Sequence, residues 1–285
     1  MHAAPLAPGP GGTLGIVAGN GTLPLEIAEA VQARGGRPFV VGIEGEAEDG
    51  IRRYDHRRLG WGHLGRLFRL LEAENARDVI FAGGVARRPR LGPRDLDLAT
   101  TRVLPRLLVM LMSGDDTILS GLARMFEERG FTMRGVADVA PELLLDAGNA
   151  VGRPGAKARE QVAFGMEIVR ALGRFDLGQA VVVCGRRAVA VEGVEGTDAM
   201  LRRVEELRDG GRLRDDRDGV LVKVPKPEQD RRVDLPAIGP ATIVNARAAG
   251  LRGIGAEAGG LVLLERERTL ELARRHGVFL HPVVS

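Results

Sequence analysis

Apolar residues fall into short runs that alternate with helix-period stripes along most of the chain. Residues 14–18 form a strand-length apolar run, closed by Gly19-Asn20-Gly21. Leu23, Ile27 and Val31 then share one helical stripe. Pro24 falls in the first turn, where its missing N–H costs little, and Gly35-Gly36 closes the helix. Residues 38–43 read as the next strand. Trp61, Leu64, Leu67, Phe68 and Leu71 mark a second helix, and 78–82 a third strand closed by Gly83-Gly84. Residues 96–112 and 116–129 read as two further helices around Ser113-Gly114-Asp115. The stretch 145–155 is rich in turn residues and has no apolar period, which predicts a domain boundary. Beyond it the pattern predicts a helix at 156–172, a hairpin of 180–184 and 188–192 around Gly185-Arg186-Arg187, and a helix at 197–207. A strand at 220–224 follows, then further elements at 240–249, 253–257, 261–264 and 266–276. Alternating strands and helices predict parallel sheets covered by helices. The expectation is α/β: an N-terminal Rossmann-like parallel sheet with helices over 13–145, and a C-terminal α/β domain carrying the acid-rich motifs over 155–285.

The length agrees, since 285 residues make two domains at roughly 150 residues each. A single cysteine, Cys184, excludes an internal disulfide framework and any cysteine-clustered metal site. Of 41 basic residues only Lys157, Lys223 and Lys226 are lysines. The net charge of +3 and pI of 9.6 hint at nucleic acid. Against that, 38 acidic residues nearly balance the 41 basic ones, and 4% aromatics leave little for a stacking platform; no nucleic-acid partner is expected. Residues 1–12 lack a positive n-region and an unbroken apolar core, so a frayed tail is expected rather than a secretory signal. No stretch reaches the roughly 20 apolar residues of a spanning helix; the nearest, 103–112, contains Pro105 and Arg106. The expected compartment is the cytoplasm.

Four segments carry candidate chemistry. Gly19-Asn20-Gly21 leaves a strand and opens a helix, an arrangement that aims backbone N–H groups and the positive helix end at an anion. The dinucleotide fingerprint would require a third glycine where Pro24 stands, although Glu44 and Glu46 lie where a ribose-binding acid could be. A tight turn and a phosphate-lined strand end remain as readings. Gly83-Gly84-Val85 would face the same crevice. Asp115-Asp116 precedes a helix, as a cap or as a ligand for a sugar hydroxyl or hydrated metal. Glu192, Glu195 and Asp198 crowd a two-glycine turn in which Thr197 is a plausible cap. Acids crowded in this way suit Mg²⁺. The densest segment is 223–240, with Lys223, Lys226, Asp230 and Asp234 between Pro225, Pro227 and Pro236. It reads as a solvated loop, or as a place where phosphate, cation and water meet beside the helix start at Gly239-Pro240. His2, His56, His63, His276 and His281 show no metal spacing, and Ser113, Ser120 and Ser285 lie in no nucleophile elbow. Carboxylate-plus-metal chemistry is therefore favoured over Ser or Cys catalysis.

In order along the chain, LGIVAGNGTLPLEIAEA (14–30), FAGGVARRP (81–89), SGDDTIL (113–119), LGQAVVVC (177–184), VEGTDAMLRRV (194–204) and VKVPKPEQDRRVDLPAIGPATI (222–243) resemble the LpxI family, the UDP-2,3-diacylglucosamine pyrophosphatases of lipid A synthesis. Asn20 interrupts what is often a run of three glycines, and the insertion 209–218 is highly charged; neither touches the acids. The resemblance implies a homodimer of two α/β domains with the substrate held between them; because that substrate carries acyl chains, the protein is expected to dock peripherally on the cytoplasmic face of the inner membrane. It implies Mg²⁺-dependent hydrolysis of the UDP-sugar pyrophosphate, with water attacking the phosphorus next to uridine. By position it implies Asp234 and Asp198 as catalytic and metal-binding acids, and Lys223 with Lys226 on the pyrophosphate. Thr22, Gly83, Gly84, Val85, Asp115, Asp116, Gln179 and Thr197 would complete the substrate pocket. The apolar stretch 103–112 is either core or a groove for acyl chains. Two other readings are a nicotinamide-dependent oxidoreductase built on the first glycine turn and a non-catalytic nucleotide-sugar binding protein.

Overall fold

The structure is a computed structural model that describes residues 7–85, 96–103, 115–173, 175, 177–213, 218–227 and 229–284, with the backbone alone at 115–117. Its chain divides into two compact units. One comprises Met1–Pro141 with Arg232–Asp234, the other Glu142–Arg231 with Leu235–Ser285.

The first unit is a fully parallel five-stranded sheet. Its strands are β1 (Thr13–Ala18), β2 (Arg37–Ile43), β3 (Asp55–Leu59), β4 (Asp78–Ala82) and β5 (Thr132–Met133), in the order β3-β2-β1-β4-β5. Helices α1 (Leu23–Ala33), α2 (Leu64–Ala73) and α3 (Asp115–Glu127) connect them. The order reverses at β1, between β2 and β4, so the loops after β1 and β4 flank the topological switch point where open α/β sheets bind ligands. One face is closed by an aromatic cluster: Phe68 lies edge-on to Phe126 at 4.8 Å and stacks with Phe131 at 5.8 Å. Strand β3 is missing from the apolar pattern because Asp-His-Arg-Arg-Leu has no apolar alternation. It is an edge strand, held by backbone pairing to β2 and by Arg37, which bridges Asp55 and Glu74 at 2.6 Å each. Such an edge can be polar because only one side is paired.

The second unit has a mixed sheet of order β12-β10-β8-β6-β7. Strands β8 (Val220–Lys223), β10 (Gly253–Glu257) and β12 (Phe279–Val283) are mutually parallel. Strand β6 (Ala180–Cys184) runs antiparallel to β8 and to β7 (Arg187–Val191), the predicted hairpin. A two-stranded parallel pair, β9 (Ala237–Ile238) with β11 (Val262–Leu263), stands apart. Helix α4 (Ala156–Gly173) covers one sheet face, where Val162, Met166 and Val169 pack on Val181, Val220 and Val222. It lies so close that a Cβ on Gly165 would be 2.5 Å from the Val222 side chain, which explains a glycine inside a helix. Helices α5 (Thr197–Asp209), α6 (Pro240–Ala248) and α7 (Arg266–His276) bury Met200, Leu201, Ile243, Ala246 and Leu270 on the other face. Strand β12 escaped the pattern because His281 and Pro282 interrupt its apolar run.

Asp97 ties together two helix starts in the first unit. Its carboxylate accepts from the Thr100 N–H and hydroxyl, both at 2.8 Å, and from the Arg66 N–H of α2 at 2.9 Å. The Thr100 hydroxyl accepts in turn from the Leu64 N–H at 3.0 Å. Burial pushes the Asp97 carboxyl up, but these donors outweigh it and hold it below the usual range. A depressed folded-state pKa stabilises above the unfolded value, about 3.9, and the contribution disappears as pH falls through the folded value. Asp97→Ala is therefore expected to cost about 1–2 kcal/mol at pH 7. The gap from wild type in denaturant titrations should narrow progressively below pH 4.

Candidate functional site

In the first unit the two glycine loops at the sheet's carboxyl end are joined to each other. Gly19 N–H donates to the Ala82 carbonyl at 2.8 Å, Asn20 N–H to Gly84 at 2.8 Å, and Gly84 N–H back to Asn20 at 3.0 Å. A Cβ on Gly19 would lie 2.1 Å from the Gly84 carbonyl oxygen, so only glycine allows this approach. The expectation that the N–H groups of Gly19 and Asn20 point at an anion is thereby corrected: they are consumed in closing the strand ends. The Asn20 side chain donates to Glu46 at 3.1 Å, and the Thr22 hydroxyl donates to Glu26 at 2.6 Å. Gly83, Gly84 and Val85 are exposed, with Val85 at 52%. Asp115 and Asp116 lie in the first turn of α3 rather than before it; their side chains lie outside the described residues, as do 86–89 of the FAGGVARRP block and 104–112 of the apolar stretch.

Asp234 also belongs to this unit. Its neighbour Val233 is buried in the core with Phe39, Phe68 and Phe126, and Arg232 pairs with Glu127 of α3 at 2.6 Å. Asp234 itself is half-buried. A short segment from the acid-rich stretch is thus fixed by the first unit's aromatic core.

In the second unit the predicted residues Gln179, Thr197 and Lys223 are brought together by Glu192. The Gln179 N–H donates to Glu192 Oε2 at 2.8 Å, and the Thr197 hydroxyl donates to Oε1 at 2.5 Å. Lys223 Nζ donates to the same hydroxyl at 2.7 Å and to the Ala237 carbonyl at 3.0 Å. Glu192, Thr197 and Lys223 are each only 8% exposed. A carboxylate and an ammonium are therefore buried on either side of one hydroxyl, which donates to the first and accepts from the second. Lys226 is likewise buried, and its N–H donates to Gln229 Oε1 at 3.0 Å. Glu195 is a surface residue paired with Arg203 at 3.3 Å. Glu192 is among the acids expected from the sequence to suit Mg²⁺, whereas both of its carboxylate oxygens accept hydrogen bonds from within the second unit. The signal for this structural role is its position, five residues before the threonine that opens the helix.

Asp198 follows Thr197 in the first turn of α5. Its Oδ1 is buried and has no hydrogen-bond partner among the described residues. A buried carboxylate oxygen left without a donor is costly unless something meets it. The described residues contain no group of three His, Cys, Asp or Glu side chains placed to hold a metal. A hard carboxylate oxygen such as Asp198 Oδ1 is the donor type that Mg²⁺ takes alongside water and phosphate oxygens.

The description "LpxI N-terminal domain" matches residues 13–143, and "LpxI C-terminal domain" matches 147–281. The chain belongs to the LpxI family. A curated LpxI relative from Caulobacter vibrioides, UDP-2,3-diacylglucosamine pyrophosphatase LpxI, is 40% identical over 270 residues, covering 94% of this chain and 96% of the relative. The LpxI domain matches extend across both the Asp198 and the Asp234 motifs.

The buried chain gives a sharp stability test. Thr197→Val removes the hydroxyl and leaves Glu192 Oε1 without its donor. It should destabilise by about 1–3 kcal/mol, whereas Thr197→Ser keeps the hydroxyl and should stay within about 1 kcal/mol of wild type in denaturant melts.

Proposed function

We propose that this protein hydrolyses the pyrophosphate bond of UDP-2,3-diacylglucosamine, yielding UMP and 2,3-diacylglucosamine 1-phosphate for lipid A biosynthesis. The observation that carries this reading is the 40% identity to a pyrophosphatase of that name over 94% of the chain. The orphaned Asp198 Oδ1 supports it independently, because a pyrophosphate substrate would bring the cation that such an oxygen requires.

Cleaving a pyrophosphate demands charge neutralisation, an in-line water and a leaving group held in place. Asp198 and Asp234 are assigned as the metal-binding and catalytic acids. Bound Mg²⁺ would supply the Lewis acidity that neutralises the phosphate oxygens. A carboxylate of this pair accepts the proton of the attacking water. The water oxygen bonds to the phosphorus next to uridine, and the bond from that phosphorus to the bridging oxygen breaks. The bridging oxygen leaves with the lipid phosphate. Lys223 and Lys226 provide the positive charge for the pyrophosphate. Lys223 does so from a fixed position, since Thr197 and Ala237 hold its ammonium. The Glu192–Thr197–Lys223 chain also anchors the first turn of α5 and so orients Asp198. Thr22, Gly83, Gly84, Val85, Asp115, Asp116, Gln179 and Thr197 are assigned to the walls around nucleotide and sugar.

Among the described residues no helix is long and apolar enough to cross a membrane. The substrate needs no such helix, because each buried acyl methylene contributes about 0.8 kcal/mol to its own anchoring. We place the protein as a homodimer in the cytoplasm, docked peripherally on the inner membrane. A nicotinamide oxidoreductase is disfavoured, since the N–H groups of Gly19 and Asn20 are spent between loops and Pro24 stands where the fingerprint needs a third glycine.

Incubation with UDP-2,3-diacylglucosamine and Mg²⁺ should release UMP. EDTA should abolish release, and Asp198→Ala and Asp234→Ala should each lower the rate by about a hundredfold or more. No UMP from wild type, or release untouched by both EDTA and Asp234→Ala, would reject the reading.

A further inference from the structure

The second unit holds a cleft at the opposite end of β8 from Lys223. Its volume is about 790 Å³, within the roughly 300–1,000 Å³ range of small-molecule sites. Arg153, Lys157, Gln161, Asp218, Arg252 and Arg274 line it, a strongly basic set around a single acid among the described residues. The cleft also contains the start of α4. Arg159 N–H is bonded to the Gly155 carbonyl, so the N–H groups of Ala156, Lys157 and Ala158 precede the first acceptor within the helix. An 18-residue helix adds its positive end to the arginines.

The acid is already neutralised. Asp218 accepts from Lys157 Nζ at 2.8 Å, from Gln161 Nε2 at 3.2 Å and from the Gly219 N–H at 3.0 Å. Burial pushes its carboxyl up, but the bonds from Lys157 and Gln161 outweigh this and hold it low, so it is ionised and accepts only. That fixes the amide of Gln161: Nε2 must face Asp218, and Oε1 must face away. Gln161 is only 2% exposed, and its Oε1 is buried with no hydrogen-bond partner among the described residues. Arg153 and Arg274 form no ion pair among the described residues. The cleft therefore presents two unmet demands. The arginines and the helix start call for an anion, and Gln161 Oε1 calls for a hydroxyl or amine donor.

We propose that this cleft is a second ligand site, separate from the residues assigned to hydrolysis, and that it binds a phosphate ester carrying free hydroxyl groups. The phosphate is held by Arg153, Arg274 and the N–H groups that start α4, and a ligand hydroxyl donates to Gln161 Oε1. The site does not depend on the proposed hydrolase reading.

The test is calorimetric titration of the full-length protein with glucose 1-phosphate and with inorganic phosphate. Glucose 1-phosphate should bind saturably, and more tightly than phosphate. The exposed pair Arg153→Ala/Arg274→Ala, checked for folding by circular dichroism, should weaken both probes by about tenfold or more, because charge-assisted hydrogen bonds are lost. Gln161→Met, checked for folding in the same way because it also removes the Nε2 donor to Asp218, should weaken glucose 1-phosphate about fivefold while leaving phosphate unchanged, since the hydroxyl contact is the one ligand contact it removes. No saturable binding, or binding undiminished in the double arginine variant, overturns the site. Phosphate bound as tightly as the sugar phosphate, or both weakened equally by Gln161→Met, overturns the hydroxyl-bearing ligand.

Discussion

A buried charge is tolerated only where another group meets it, and the Thr197 hydroxyl meets two. It donates to Glu192 and accepts from Lys223, so the ends of β7 and β8 and the start of α5 are joined through one oxygen. Removing any member would leave a buried charge or polar group without its partner, which is why such a chain holds its backbone in one arrangement. The consequence extends one residue further. Asp198 comes next in the helix, and its Oδ1 is left as an unanswered acceptor. The same economy operates in the first unit without charges, where Gly19, Asn20 and Gly84 satisfy one another's backbone groups and close the sheet's switch point.

The parallel cores were legible in the sequence because their strands are continuous apolar runs. The runs at 14–18, 38–43 and 78–82 became β1, β2 and β4, with the intervening helices where the 3.6-residue stripe placed them. Edge elements were not legible, for a physical reason. An edge strand such as β3 needs only one backbone partner and can be entirely polar, and β12 continues through a histidine and a proline. The two-residue strands β5, β9 and β11 are too short for any period.

Site chemistry was legible as residue types more than as contacts. The acid-rich turn and the lysines in the proline-stiffened segment stood out, but their partners did not. Spacing could not reveal that Lys223 bonds a threonine 26 positions away. Nor could it reveal that Val233, in the core of the first unit, fixes its neighbour Asp234 to that unit, because the packing that decides this is three-dimensional. The glycine loop misled for a related reason. The N–H groups of Gly19 and Asn20 are free in a helix-start motif taken alone, and are spent only because the strand end at Ala82 and a second glycine loop close on them.

The step on which the proposed hydrolysis turns is attack of water on the phosphorus beside uridine. Hydrolysis of UDP-2,3-diacylglucosamine in ¹⁸O-labelled water, with mass spectrometry of both products, tests this most directly. The account predicts the heavy oxygen in UMP and none in 2,3-diacylglucosamine 1-phosphate; label in the lipid phosphate would contradict it.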